Sequence, residues 1–202
     1  TYYHPSNSYI YLYGNMDMEE KLAFLDEHYL SHFDYLDVDS VIQEQKAFGA
    51  CQDVTLEYPV AENEGEEDNT YLSYNMVVGN AADSQMAMAF EVLDYALLSA
   101  PGAPLKQALL DVKAGKDVYG SYDDGILQPY FTVIAKGSNP DRKEEFVSVI
   151  RQVLGDIVKN GIDKKAVEAG INYFEFRYRE ADFSSYPKGL MYSLDILGDW
   201  LY

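Results

Sequence analysis

Positive charge is scarce in this sequence. Its 202 residues include 15 Lys and Arg against 34 Asp and Glu, a net charge of −19 at pH 7. Phosphate backbones and anionic lipid surfaces are bound by clustered Lys and Arg, so neither nucleic acid nor a membrane surface is an expected partner. Acidity of this size keeps a protein soluble, and that is its default explanation. Cysteine occurs once, as Cys51, so no disulfide can close within the chain. That fits a reducing compartment. No apolar run approaches the ~20 residues of a membrane-spanning helix, and no stretch reads as a signal peptide. Thr1 leads straight into strand-like sequence, as expected of a piece of a longer protein.

Sequence signatures of chemistry are missing as well. There is no Gly-x-Ser-x-Gly elbow for a serine nucleophile, and no Gly-x-Gly-x-x-Gly or phosphate loop for a nucleotide. Of three histidines, His28 and His32 stand four apart, a spacing that puts both on one face of a helix within reach of a metal. The run His28-Tyr29-Leu30-Ser31-His32 nevertheless lacks the Glu of His-Glu-x-x-His and of its inverse, so two surface histidines are the plainer reading. His4 precedes Pro5 in an extended entry, where a structural role is expected. Cys51 has no histidine near it in sequence to activate it. Asp123-Asp124-Gly125 reads as turn chemistry before it reads as a carboxylate pair. Residues 62–68 hold five acids around Gly65. Like charges so dense do not pack, so a solvated linker is expected; the spacing lacks the order of a calcium loop.

What the chain does have is apolar material in regular patterns: 48% of residues are hydrophobic and 19 are tyrosine. Residues 9–13 alternate and predict a strand. Asp17 then caps a helix marked by Met18, Leu22, Leu25, Tyr29 and Phe33. A strand and a helix alone cannot bury their apolar faces, so this opening unit needs further sheet. Residues 34–52 read as an irregular connection, and Val54, Leu56 and Tyr58 alternate as a short strand. Beyond the acidic stretch, residues 71–78 predict a strand. Asp83 or Ser84 caps a helix with Met86, Phe90, Leu93 and Leu97 on its core face. Pro101-Gly102-Ala103-Pro104 is a rigid turn, and Pro104 opens a short helix through Leu110. Strands follow at 117–122 and 130–135. Asn139 caps the next helix, with Pro140 at its first position. Phe146, Val149, Ile150, Val153, Leu154, Ile157 and Val158 line its core face, and Asn160-Gly161 stops it. Leu190, Leu194, Leu197 and Leu201 are the expected core face of the last helix.

The stretch 167–200 organises this pattern. Asp163 caps a helix on which Val167, Ile171, Phe174, Tyr178 and Ala181 form one stripe. Beside it runs a polar stripe of Glu168, Asn172, Glu175, Arg179 and Asp182, in which Glu175 and Arg179 are placed for an i,i+4 ion pair. A solvated face with pairs worth about 0.2–0.5 kcal/mol each is the plain reading; a face toward a cavity or partner is the sharper one. Tyrosine enrichment fits aromatic packing and equally a surface for a partner domain or a peptide.

Three ordered motifs carry a resemblance. They are Tyr3-His4-Pro5-Ser6-Asn7 with Tyr13-Gly14-Asn15; the run from Ala100-Pro101-Gly102-Ala103-Pro104 through Leu109; and Asn172 to Glu175 with Arg179-Glu180-Ala181-Asp182 and Tyr186-Pro187-Lys188-Gly189-Leu190. In this order they resemble the presequence protease and falcilysin branch of the pitrilysin/insulinase zinc metallopeptidases. The resemblance implies an α+β fold, with a largely antiparallel sheet covered by helices on one face, preceded by a partial unit of a similar domain. Residues 1–60 would end a catalytic-type first domain, 61–70 would be an acidic linker, and 71–202 would form a second, non-catalytic domain. In that family the zinc ligands are His-x-x-Glu-His and a downstream Glu, with the motif Glu as general base. All would lie upstream of this chain, and the assisting Arg and Tyr downstream. The resemblance therefore implies zinc in the parent protein, and no catalytic, metal-binding or cofactor-binding residue in this segment. Its partners would be other domains of the same chain and unfolded peptides, in a bacterial cytoplasm or an organelle. The alternative is a non-catalytic peptide-binding or assembly subunit on the same fold.

Overall fold

Leu72, Tyr74 and Met76 alternate with Tyr71, Ser73 and Asn75, and that period of two builds β1 (Thr70–Val77). In the computed structural model, which describes residues 2–61, 63, 65–180 and 183–201, β1 joins β2 (Asp117–Asp123) and β3 (Tyr130–Ser138) in one antiparallel sheet of order β1-β3-β2. The register sets Leu72 opposite Ala135 and Met76 opposite Phe131, and Val118 and Tyr122 meet the same two residues from the other side. Those residues share one face. The central strand is buried even on its other face: Thr132 is 5% exposed, and its hydroxyl donates to Asn75 Oδ1 at 2.8 Å.

Helices cover the first face. Asp83 accepts from the Met86 amide at 3.0 Å and opens α2 (Ser84–Asp94). A π turn, Tyr95–Ser99, continues it and carries the buried Ala96, Leu97 and Leu98. Pro104 starts α3 (Pro104–Asp111), which buries Leu105 and Leu109. Helix α4 (Lys143–Asn160) buries Phe146 and Ile150, and Gly161, at φ 87°, ends it. These side chains and the inner strand residues form one core. Helix α5 (Lys164–Glu180) is capped by Asp163, whose carboxylate accepts from the Lys165 amide at 2.9 Å. It packs through Gly170, where an added Cβ would lie 3.2 Å from both Val92 and Tyr95.

The chain divides into two units, and all of this lies in Gln45–Glu180. The other is made of Thr1–Glu44 and Ala181–Tyr202. Its elements are α1 (Met18–His28), capped by Asp17 through the Glu20 amide at 3.1 Å, and α6 (Lys188–Trp200). Aromatic rings join it: Tyr9 to Trp200 at 5.8 Å, Tyr13 to Tyr192 at 6.1 Å and Phe183 to Tyr192 at 5.4 Å. None of its described residues is buried.

Several expectations are corrected. Residues 9–13 and 54–58 are not strands, because neither finds a ladder partner among the described residues. A period of two needs a neighbouring backbone to become a strand. Asn139 does not cap a helix; its side chain bonds Asp68 instead, and a short 3-10 turn, Pro140–Arg142, leads into α4. Val158, at 87% exposed, and Met86 leave the core faces assigned to them. Ile171 is half exposed because α5 turns Gly170 inward in its place. Leu190, Leu194 and Leu201 remain exposed, since the unit holding α6 has no closed core among its described residues. Glu62, Glu64, Ala181 and Asp182, assigned to the acidic stretch and the two stripes, lie outside the described residues.

Candidate functional site

The histidines come first, since metal chemistry would need them. His28 is the last residue of α1, and His32 lies in a separate 3-10 turn, Leu30–His32. The helical register that would stack them ends at Tyr29. The His28 ring packs on Phe24 at 4.6 Å. His4 meets the edge of Phe33 at 5.5 Å, and its Nδ1 accepts from the Ser6 amide at 3.2 Å. Among the described residues, no group of three or more His, Cys, Asp or Glu stands close enough to hold a metal ion. A zinc site needs at least three such donors converging, so these residues do not fit zinc. Cys51 is an exposed free cysteine, and its thiol donates to the Gln52 carbonyl at 3.8 Å.

The carboxylates perform structural tasks. Asp123 accepts from the Gly125 amide at 3.1 Å through one oxygen and from the Tyr130 hydroxyl at 3.0 Å through the other. It is turn chemistry, as its sequence suggested. Asp68, at φ 54°, leaves the expected solvated stretch and is clasped. Its amide donates to Asn139 Oδ1 and its carboxylate accepts from Asn139 Nδ2, both at 2.8 Å, with Lys116 at 3.4 Å. The Asn139 hydrogen bond, then Lys116, holds the Asp68 carboxyl below the usual carboxylate range. Likewise Lys106, bonded at 3.2 Å, lowers Asp117.

Asp94 is different. It closes α2 just before the π turn, and its Oδ2 accepts from the Ser99 hydroxyl at 3.2 Å. Its Oδ1 is buried with no partner and lies against Gly120 of β2. Burial pushes this carboxyl up, against the Ser99 bond that lowers it. The sequence held a signal for this residue: Asp94 lies four after Phe90 and three before Leu97, on the core stripe itself. The direction of the shift fixes the sign of a pH effect. Above the raised pKa the folded state bears the full cost of the buried charge; below the ordinary carboxylate range both states are protonated and the cost is gone. Asp94→Asn is therefore expected to raise Tm at pH 7 by a few degrees, with the gain shrinking toward zero as pH falls to about 4. Paired melting curves from pH 4 to 7 check this.

The polar stripe of α5 is an ion-paired surface: Arg179 Nε and a terminal guanidinium nitrogen reach Glu175 Oε1 at 2.8 and 2.6 Å. Beside it aromatic groups join α5 to α2 and the π turn. Tyr173 stacks on Tyr95 at 5.1 Å, and the Tyr178 hydroxyl donates to Glu91 at 3.1 Å. What the described side chains build is a set of clasps and packed aromatic rings. No helix among the described residues is long and apolar enough to cross a membrane.

Residues 1–174 match the family described as the peptidase M16 inactive domain. The chain is 47% identical to Protein HypA of Clostridium perfringens over 201 residues, which covers 100% of this chain and 21% of that protein. It is 32% identical to the chloroplastic/mitochondrial presequence protease 1 of Arabidopsis thaliana, across 100% of this chain and 19% of that protein. Against the mitochondrial presequence protease of Xenopus laevis identity is 25%, over 91% of this chain and 18% of that protein. The chain thus spans about a fifth of the length of the curated relatives it matches. In fold it is similar to the inactive peptidase domain of a protein described as a zinc protease, from Bordetella parapertussis. The TM-score there is 0.52 at 13% identity, covering 64% of this chain and 75% of that one. The three-stranded antiparallel sheet with its helices is the α+β fold expected. The motifs, the fold and the relatives agree: this chain belongs to the peptidase M16 family, as an inactive-domain segment of the presequence-protease kind.

Proposed function

We propose that this chain is the non-catalytic wall and scaffold of a longer zinc-dependent peptidase that degrades unfolded peptides. The observation that carries this reading is the match of residues 1–174 to an inactive peptidase domain, within relatives about five times longer. In it, residues 1–60 end a catalytic-type domain, 61–70 link, and 71–202 belong to a second domain. The zinc ligands and the general base lie upstream, and this segment contributes no catalytic, metal-binding or cofactor-binding residue. The packed clasps of Asp68, Asn139 and Lys116 and the aromatic seam between α2 and α5 support a structural role. The protein works with its other domains as partners, in a bacterial cytoplasm or an organelle.

The test uses the full-length protein and a fluorogenic peptide. A chelator is expected to abolish hydrolysis and added zinc to restore it. His28→Ala, His32→Ala and Cys51→Ser are each expected to leave kcat/KM within about twofold, below 0.5 kcal/mol of transition-state stabilisation. A loss of 100-fold or more (about 2.7 kcal/mol) in any of the three would place chemistry in this segment. A full-length protein without zinc-dependent hydrolysis would point to the peptide-binding or assembly subunit instead.

A further inference from the structure

Of the nine asparagines in the sequence, Asn160 alone is followed by glycine. Glycine has no Cβ, so its backbone can approach a neighbouring side chain that a larger residue would fend off. The amide carbon of Asn160 is thereby open to attack by the next backbone nitrogen. Other asparagines are engaged: Asn7, Asn69, Asn75, Asn80 and Asn139 each hydrogen-bond through their side chains. The Asn160 side chain makes no hydrogen bond among the described residues.

The closed helix keeps the two reacting groups apart. Asn160 ends α4, and the Gly161 amide donates to the Ile157 carbonyl at 2.8 Å. That bond points the nitrogen along the helix axis, while a helical side chain leans back over the preceding turn. Opening this one bond lets them meet, and little resists the opening. Val158 is 87% exposed, and Lys159, Asn160 and Gly161 are exposed. Apart from its chain neighbours, nothing lies within 4 Å of a Cβ built on Gly161. Ile157 and Ile162 pack on the core on either side, so the opening is confined to a single turn. Openings so local cost far less than global unfolding.

We propose that Asn160 is a site of spontaneous modification, converted through a cyclic imide to aspartate and isoaspartate at a rate set by fraying of the last turn of α4. The Gly161 nitrogen gives its proton to hydroxide and attacks Asn160 Cγ. A C–N bond forms, the Cγ–Nδ2 bond breaks, and Nδ2 leaves as ammonia with a proton returned by water. A water molecule then opens the imide. Addition at Cγ gives aspartate. Addition at the backbone carbonyl carbon gives isoaspartate, whose main chain runs through the former side chain. The chemistry needs water and hydroxide alone. Either product puts a negative charge at the C-terminus of α4, where the helix dipole opposes it. Isoaspartate also adds one carbon to the main chain between α4 and the Asp163 cap of α5. Each captured opening thus loosens the joint between two helices.

The test holds the full-length protein at mildly alkaline pH and follows each asparagine by peptide mass mapping. It is run folded and in urea. Asn160 is expected to convert ahead of the other asparagines of this segment in both conditions, and at least roughly tenfold more slowly when folded. Val158→Ala and Val158→Gly tune the fraying, because alanine and glycine differ widely in helix propensity. The glycine variant is expected to convert roughly fivefold faster than the alanine variant when folded, and at the same rate in urea. An Asn160 that converts only in urea overturns the proposal, since the turn then stays shut. So does another asparagine of the segment converting first in the folded protein, or a folded Val158 pair with equal rates.

Discussion

Phe146→Ala is expected to lower the unfolding free energy by about 3–5 kcal/mol. Phe146 is 1% exposed and stands among Leu105, Leu109, Val133 and Ile150, where helices and sheet close the core. Truncation there removes the apolar area and leaves a cavity that close-packed neighbours fill only in part. Total stabilities of about 5–15 kcal/mol make this a large fraction. Val158→Ala, on the same helix, is the counterpart: Val158 is 87% exposed, so a change within about 0.5 kcal/mol is expected. Urea unfolding of both variants checks the pair. A Phe146 loss below 1 kcal/mol would mean that α4 does not close this core.

Gly120→Ala is expected to cost about 1–3 kcal/mol, through crowding where Phe146→Ala acts through a void. A Cβ at Gly120 would collide with the side chains of Asp94 and Leu98. Leu98 is 1% exposed, so a shift would press it on the core around it. Asp94 already has a buried oxygen without a partner, so moving it disturbs a group under electrostatic cost. The contrast is Gly155→Ala in α4, where nothing lies within 4 Å of the added Cβ. There the same substitution is expected to stabilise by about 0.5–1 kcal/mol, because alanine loses less backbone entropy in a helix. Opposite signs for one chemical change, measured by urea or thermal unfolding, would show that tertiary approach decides the outcome.

Much of the fold was legible in the residues because its signals are local. Asp17, Asp83 and Asp163 cap the helices that follow them, since a carboxylate two or three positions before free amides needs nothing distant to bond them. Pro104 opens α3 and Gly161 closes α4 for equally local reasons, one a fixed φ, the other a positive one. The family was legible in ordered motifs.

What the sequence could not decide was partnership between distant parts. Residues 9–13 and 54–58 carry the same alternation as β1, yet only β1 meets a ladder, because a strand is completed by another backbone and not by its own period. Asn139 looks like a cap and becomes a clasp on Asp68, 71 positions away, because that carboxylate arrives from across the fold. His28 and His32 lost their shared face when the helix ended at Tyr29. The sequence by itself determined the helices, the caps at Asp17, Asp83 and Asp163, and the family. Tertiary structure alone decided which alternating stretches became strands, which polar groups found each other, and which glycine lets two elements touch, because each of those requires atoms far apart in the chain to meet.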